Sequence, residues 1–174
     1  MIATIVQLDA DHAAARIDDL IHLLQDAVAD GASIGFLPPL TADDAHRYWR
    51  NSIGAVEQGE RLLFAALDAD RLIGSVQLAL EMRLNGLHRA EVQKLVVHTH
   101  FRRQGIGQRL MHAAEKAALS AGRTLLVLDT RRGDPSEQLY QQLGYSRAGV
   151  IPQYARNATG QLDDTVLYYR LLSA

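Results

Sequence analysis

Not one cysteine occurs in the 174 residues, which excludes a disulfide framework, a thiolate zinc site and a cysteine nucleophile; any covalent chemistry falls to another side chain. No apolar run approaches the ~20 residues needed to cross a bilayer. The opening Met1-Ile2-Ala3-Thr4 carries neither a basic segment nor the apolar stretch of a secretion signal, so a cytoplasmic address is expected. An excess of one charge is missing too: 18 basic and 20 acidic residues leave a net charge of -2 and a pI near 6.4. There is no broad field to draw in nucleic acid or an anionic membrane, and the expected partner is small. Repeats and low-complexity tracts are also lacking. What remains is 48% hydrophobic and 22% charged, the composition of an ordinary globular protein. Residues 1–174 are expected to form a single domain with a core and a ligand cleft.

Local patterns divide the chain. Residues 2–8 alternate and are β-branched, which predicts a first strand. Asp11 is placed to cap a helix whose apolar positions Ile17, Leu20, Ile21, Leu24 and Val28 recur at helical spacing. Gly31 to Leu40 reads as a loop, one that must still bury Ile34, Phe36 and Leu37 and could line a pocket. Thr41 caps a second helix to about Glu57. Strands are predicted at 61–67, 72–83 and 89–98, an antiparallel meander turned by Asp68-Ala69-Asp70 and Asn85-Gly86. A helix from Gly105 to about Ala121 and an apolar strand at 124–129 complete a βαβ crossover, so the strands at 89–98 and 124–129 should be parallel neighbours. A last helix at 136–143 and strands at 145–151 and 165–172 follow.

The most informative run is Leu95 to Met111: a strand, a basic turn and a glycine-rich helix start. Gly105 and Gly107 let backbone N–H groups face a concavity without Cβ obstruction, and the helix beginning there adds the positive end of its dipole. Arg102 and Arg103 supply charge beside this anion cradle. A Walker A loop is excluded because Gln108 and Arg109 stand where Lys and Ser or Thr belong. The dinucleotide fingerprint fails because Leu110 occupies the place of its third glycine.

Arg-x-x-Gly-x-Gly, filled by Arg102, Gly105 and Gly107, resembles the diphosphate-binding motif of GNAT acetyltransferases. It stands after an L-x-V strand (Leu95, Val97) and upstream of Leu139-Tyr140-Gln141-Gln142-Leu143-Gly144-Tyr145, as in that superfamily. Further blocks, namely 31–36, Asn85-Gly86-Leu87 with 89–95, Leu128-Asp129-Thr130 and Pro152-x-Tyr154, resemble the tabtoxin-resistance acetyltransferases, which acetylate the amino group of tabtoxinine-β-lactam. The resemblance implies an α/β GNAT fold: a mixed, mostly antiparallel sheet of about seven strands, split at its centre to admit acetyl-CoA, with helices on both faces. It implies acetyl-CoA as co-substrate, no metal, a small-molecule amine as acceptor, and leaves room for a homodimer. Cofactor contacts are carried over to Leu95, Val96, Val97, Arg102, Arg103, Gln104, Gly105, Ile106, Gly107 and Gln108.

Acetyl transfer needs an unprotonated amine, a polarised thioester carbonyl and a proton for the departing thiolate. The resemblance assigns the polarising backbone N–H to the strand Leu95-Val96-Val97. Glu91, on that strand, and Asp129, at the carboxyl end of the next, are the candidate catalytic carboxylates, with Glu91 favoured as base; the alternatives are a salt bridge of Glu91 with Lys94 or Arg89 and a cap or loop-ordering role for Asp129. Tyr140 stands where GNAT enzymes carry a general acid, and otherwise reads as a core aromatic. Seven residues earlier, where many relatives have a cofactor-binding Asn, this chain has Gly133. His98 and His100 lack a third metal ligand. Tyr48 and Trp49 read as packing, while Arg131 and Arg132 either reach phosphate or are solvated. Other acceptors (amino acid, polyamine, aminoglycoside, protein) and a non-catalytic CoA sensor remain as alternatives.

Overall fold

The computed structural model describes residues 3–173. Among them seven strands form one sheet: β1 (Thr4–Leu8), β2 (Arg61–Asp68), β3 (Arg71–Leu80), β4 (Arg89–Val97), β5 (Leu125–Arg131), β6 (Ser146–Arg156) and β7 (Leu162–Leu171), in the order β1-β2-β3-β4-β5-β7-β6. Every neighbouring pair is antiparallel except β4–β5. The expected mixed sheet and βαβ crossover are therefore present. Residue 2 of the expected first strand lies outside the described residues.

Helices cover both faces. On one lie α1 (Ala10–Ala15), α2 (Ile17–Ala29) and α3 (Ala42–Glu57); on the other lie α4 (Ile106–Ser120) and α5 (Ser136–Gln142). The apolar positions foreseen for the first helix do face the core, with Leu20 and Leu24 fully buried, but they belong to α2. The cap and the start differ from expectation. Asp9, not Asp11, accepts from the His12 N–H at 2.8 Å, and the helix breaks at Arg16, whose φ of -113° and ψ of 20° are not helical. Thr41 caps α3 as expected, accepting from the Asp44 N–H at 3.1 Å. Trp49 of α3 is completely buried and donates to the Leu20 carbonyl at 2.9 Å, so it is packing.

Two departures from a regular sheet position the site. β4 and β5 pair only at Arg89–Leu125, Ala90–Leu126 and Glu91–Val127; beyond that seam each strand runs on without the other. β4 also carries a bulge: Ser75 pairs with Val96 and Gln77 with Gln93, so three steps on β4 match two on β3. Lys94, in the extra position, has a φ of +50°, and the bulge changes which face the following side chains meet. No helix among the described residues is long and apolar enough to cross a membrane.

Candidate functional site

The divergence of β4 and β5 opens a cleft of about 700 Å³. Leu95, Val96 and Val97 form one wall. The other is made by Arg131, the segment Asp134-Pro135-Ser136 and the outer face of α5. At one end lies the turn into α4, with Arg102, Arg103, Gly105, Ile106, Gly107 and Gln108 lining the cleft. Gln104, expected with them, is exposed and does not line it.

Gly105 caps α4 with a φ of +75°, a left-handed conformation that a residue with a Cβ adopts at a cost. The first intrahelical bond runs from the Arg109 N–H to the Gly105 carbonyl at 3.1 Å. The N–H groups of Ile106, Gly107 and Gln108 therefore precede the helical ladder and form a cradle at the positive end of a 15-residue helix. A Cβ on Gly107 would come within 3.3 Å of Leu139 on α5, so glycine here lets the two helices approach.

The two arginines of the turn differ. Arg102 donates through Nε to the Val97 carbonyl at 3.1 Å and pairs through Nη1 with Asp30 at the end of α2. Much of its charge is therefore met within the protein, and it staples the turn in place instead of offering a free cation. Arg103 has no ion-pair partner among the described residues and a φ of +61°. Asp26 of α2 further pins the turn, accepting from the Thr99 N–H and hydroxyl at 2.9 Å each. These long-range partners were not legible in the motif.

A second pocket of about 310 Å³ adjoins the first, the two sharing Ala32, Leu95, Arg131, Asp134 and Ser136. It brings together Glu91, Asp129 and Tyr140. Glu91 has no ion-pair or hydrogen-bond partner among the described residues, because Arg89 binds Glu81 at 2.7 Å and Lys94 forms no ion pair. Asp129 is exposed and accepts from the Thr165 hydroxyl at 2.7 Å, a bond that also ties β5 to β7. Tyr140 is 6% exposed and packs with Tyr145 and Tyr168, ring centres 5.9 and 6.1 Å away. Burial, reinforced by the charges of Asp134 and Asp129, raises its pKa well above the ordinary phenol value. The phenol thus keeps its proton through the neutral range.

Three further polar residues of this pocket were not among the expected catalytic or cofactor contacts. Lys94 lies with its ammonium 5.9 Å from the Phe36 ring centre and 5.6 Å from that of Tyr48, and its pKa is lowered by burial and then by Arg61, against the pull of Glu91 and Asp129. Arg131 borders both pockets and joins three segments, donating to the Gly31 carbonyl at 3.2 Å and pairing with Asp134 at 3.3 Å and Asp163 at 3.9 Å. Ser136 shares a 2.7 Å hydroxyl bond with Thr130. Arg132 pairs with Asp164 at 3.2 Å. His98 and His100 have ring centres 5.2 Å apart, and no group of three metal-binding side chains occurs among the described residues.

The loop Gly31–Leu40 packs Ile34 and Phe36 against the core, with Phe36 edge-on to Tyr48 at 5.2 Å, but Leu37, expected to be buried with them, is exposed. Its segment 32–35 lines the second pocket together with Tyr154 and Ala155 of β6.

The acetyltransferase (GNAT) family matches residues 19–145 of the chain. A curated relative, N-alpha-acetyltransferase 30 of Schizosaccharomyces pombe, is 29% identical over 105 residues, 60% of this chain and 70% of the relative. The human enzyme of that name is 28% identical over 59% of this chain, a match that spans only 28% of the relative. Among solved structures, an N-acetyltransferase of Staphylococcus aureus superposes with a TM-score of 0.82 at 15% identity, covering 99% of this chain and 100% of the other. A Salmonella typhimurium structure with its cofactor acetyl-CoA gives 0.80 at 17% identity, over 100% and 96%. An aminoglycoside 6'-N-acetyltransferase complexed with coenzyme A gives 0.75 at 21% identity, over 98% of each chain.

Proposed function

The chain belongs to the GNAT acetyltransferase family, and we propose that it transfers the acetyl group of acetyl-CoA to the primary amine of a small molecule. One observation carries the reading: the cleft between the diverging strands opens directly onto a pocket holding Glu91, Asp129 and Tyr140. In this reading the diphosphate rests on the N–H groups of Ile106, Gly107 and Gln108, and the acetyl-bearing arm lies along Leu95, Val96 and Val97. Acetyl-CoA supplies the activated acyl group.

The remaining chemistry belongs to the chain. Glu91, free of an internal partner, receives the acceptor's ammonium and takes its proton. Asp129 holds the cation from the neighbouring strand. Tyr140, kept protonated by its surroundings, donates to the departing sulfur. Backbone donors aimed at the carbonyl oxygen in such a cleft contribute about 3 kcal/mol each to lowering the barrier.

The acceptor is an amino-acid-like compound, with tabtoxinine-β-lactam the first candidate on the strength of the blocks at 31–36, 89–95 and 128–130. A second reading takes a protein N-terminus as acceptor, favoured by the N-alpha-acetyltransferase 30 relatives. Segment 32–35 and Tyr154 wall the acceptor pocket from two sides, which supports the small molecule. The deciding experiment is an acceptor panel of β-lactam amino acids, ordinary amino acids, polyamines, aminoglycosides and N-terminal peptides, read by mass spectrometry for an added acetyl group. Turnover confined to peptides would replace the small-molecule reading; absence of calorimetric heat with CoA would remove both.

A further inference from the structure

The chain has sixteen arginines and two lysines. Lys116 is exposed on α4, whereas Lys94 stands in the acceptor pocket. Where a fixed cation suffices, this chain overwhelmingly uses arginine. What lysine adds is an amine that can lose its proton and attack a carbonyl.

The bulge in β4 decides where that amine points. Gln93 meets Arg61, and the Gln77 beside it meets Tyr48 and Ser52 of α3. Regular alternation would turn Lys94 to the opposite face; instead its ammonium lies against Phe36 and Tyr48 on the same face as Gln93. It forms no ion pair among the described residues, and Glu91 and Asp129 line the same pocket. Burial holds its proton less tightly than that of an exposed lysine. The next residue, Leu95, borders both the acceptor pocket and the cofactor cleft.

We propose that Lys94 is a self-acetylation site: when no acceptor fills the pocket, its Nζ takes the acetyl group of acetyl-CoA held by the same chain. This rests on the acetyltransferase reading above. Glu91 removes one proton from the ammonium, and the neutral Nζ attacks the thioester carbonyl. The C–N bond forms, the C–S bond breaks, and the second amine proton leaves with the sulfur, so that CoA departs as the free thiol. The products are an N-acetyl-lysine side chain, CoA thiol and one proton passed to solvent. The new amide is neutral and occupies the acceptor side, so the modified chain no longer turns over.

The test incubates the full chain with acetyl-CoA and no amine, followed by intact mass and peptide mapping. Only Lys94, Lys116 and the terminal amino group carry primary amines, so assignment is direct. The expected result is an adduct on Lys94 approaching one acetyl per chain, with matching thiol release, about ten-fold or more faster than on Lys116. Its rate constant should not depend on protein concentration, and an accepted amine should suppress it. Lys94→Arg removes the adduct. Glu91→Gln slows it about a hundred-fold while leaving Lys116 unchanged. The proposal is overturned if Lys94 reacts no faster than Lys116, if the reaction is second order in protein, or if Lys94 stays unmodified while the same preparation acetylates an external amine. If the protein neither binds CoA nor acetylates any amine, the acetyltransferase reading fails first and this proposal with it.

Discussion

The two sides of the split sheet are made of different material. The side proposed to hold the cofactor is backbone: N–H groups at the start of α4, a left-handed glycine and a turn held by staples to α2. The side proposed to take the acceptor is side chains: Glu91 from β4, Asp129 from β5, Tyr140 from α5, Tyr154 from β6 and the walls of the 31–40 loop. A backbone cradle tolerates almost any side chain except at its glycines, so it suits a ligand that never changes. A pocket assembled from separate elements can be altered one residue at a time, which suits an acceptor that differs among relatives.

If that division is right, substitutions on the two sides should separate binding from turnover. The largest effect is expected for Glu91→Gln, a loss of about 10²- to 10⁴-fold in kcat/KM for the amine, with the calorimetric Kd for CoA unchanged. A parallel loss of CoA affinity would merge the two sides. Tyr140→Phe should lower kcat by about 10²-fold, again sparing CoA binding. On the other side, Gly105→Val forces a β-branched residue into the left-handed region at a cost of about 1–3 kcal/mol; CoA titration should show affinity falling about ten-fold or more, with a lower Tm.

The tyrosines give a pH test. Tyr140, Tyr145 and Tyr168 all have pKa values raised mainly by burial. A raised acid binds its proton more tightly when folded, so this stability is complete below the unfolded value of about 10 and is lost as pH climbs above it. Denaturant midpoints should hold steady from pH 7 to about 9 and fall beyond about 10, less steeply in Tyr140→Phe. The smallest effect belongs to Asp30→Asn. Releasing Arg102 from its carboxylate should tighten CoA binding by about two- to five-fold and steepen its salt dependence; weaker binding would mean that the staple matters more than the charge it consumes.

The lining of the cleft at the turn into α4 was legible because its parts are consecutive in sequence. Residues 95 to 111 hold the strand, the turn and the helix start together, and of the ten residues expected there as contacts only Gln104 falls outside the lining. The meander at 61–98 and the parallel pairing of 89–98 with 124–129 followed from turn signals and the crossover rule, whereas the insertion of β7 between β5 and β6 did not. Failures came where a contact joins distant residues or where regular alternation breaks. Nothing near Arg102 announces Asp30, 72 residues earlier. Lys94 entered the sequence reading only as an alternative partner for Glu91, beside Arg89, since alternation gives no warning of a bulge. β6 was expected to stop before Pro152, yet it continues to Arg156 through an irregularity between Ile151 and Ala155, with Gln153 at a φ of +53°. That Glu91 and Asp129 border one pocket was expected from strand position and resemblance, whereas the Thr165 hydroxyl on Asp129 required the fold.

The seam of three residue pairs between β4 and β5 has a mechanical meaning. The sheet behaves as two leaves bound along a short spine, β1 to β4 on one and β5 to β7 on the other, with α4 as the strap between them. Anything wedged past the spine braces both leaves at once. Occupancy of the cleft should therefore stiffen regions far from the ligand, and amide exchange in β5 and β7 should slow along with that in β4 when CoA is added.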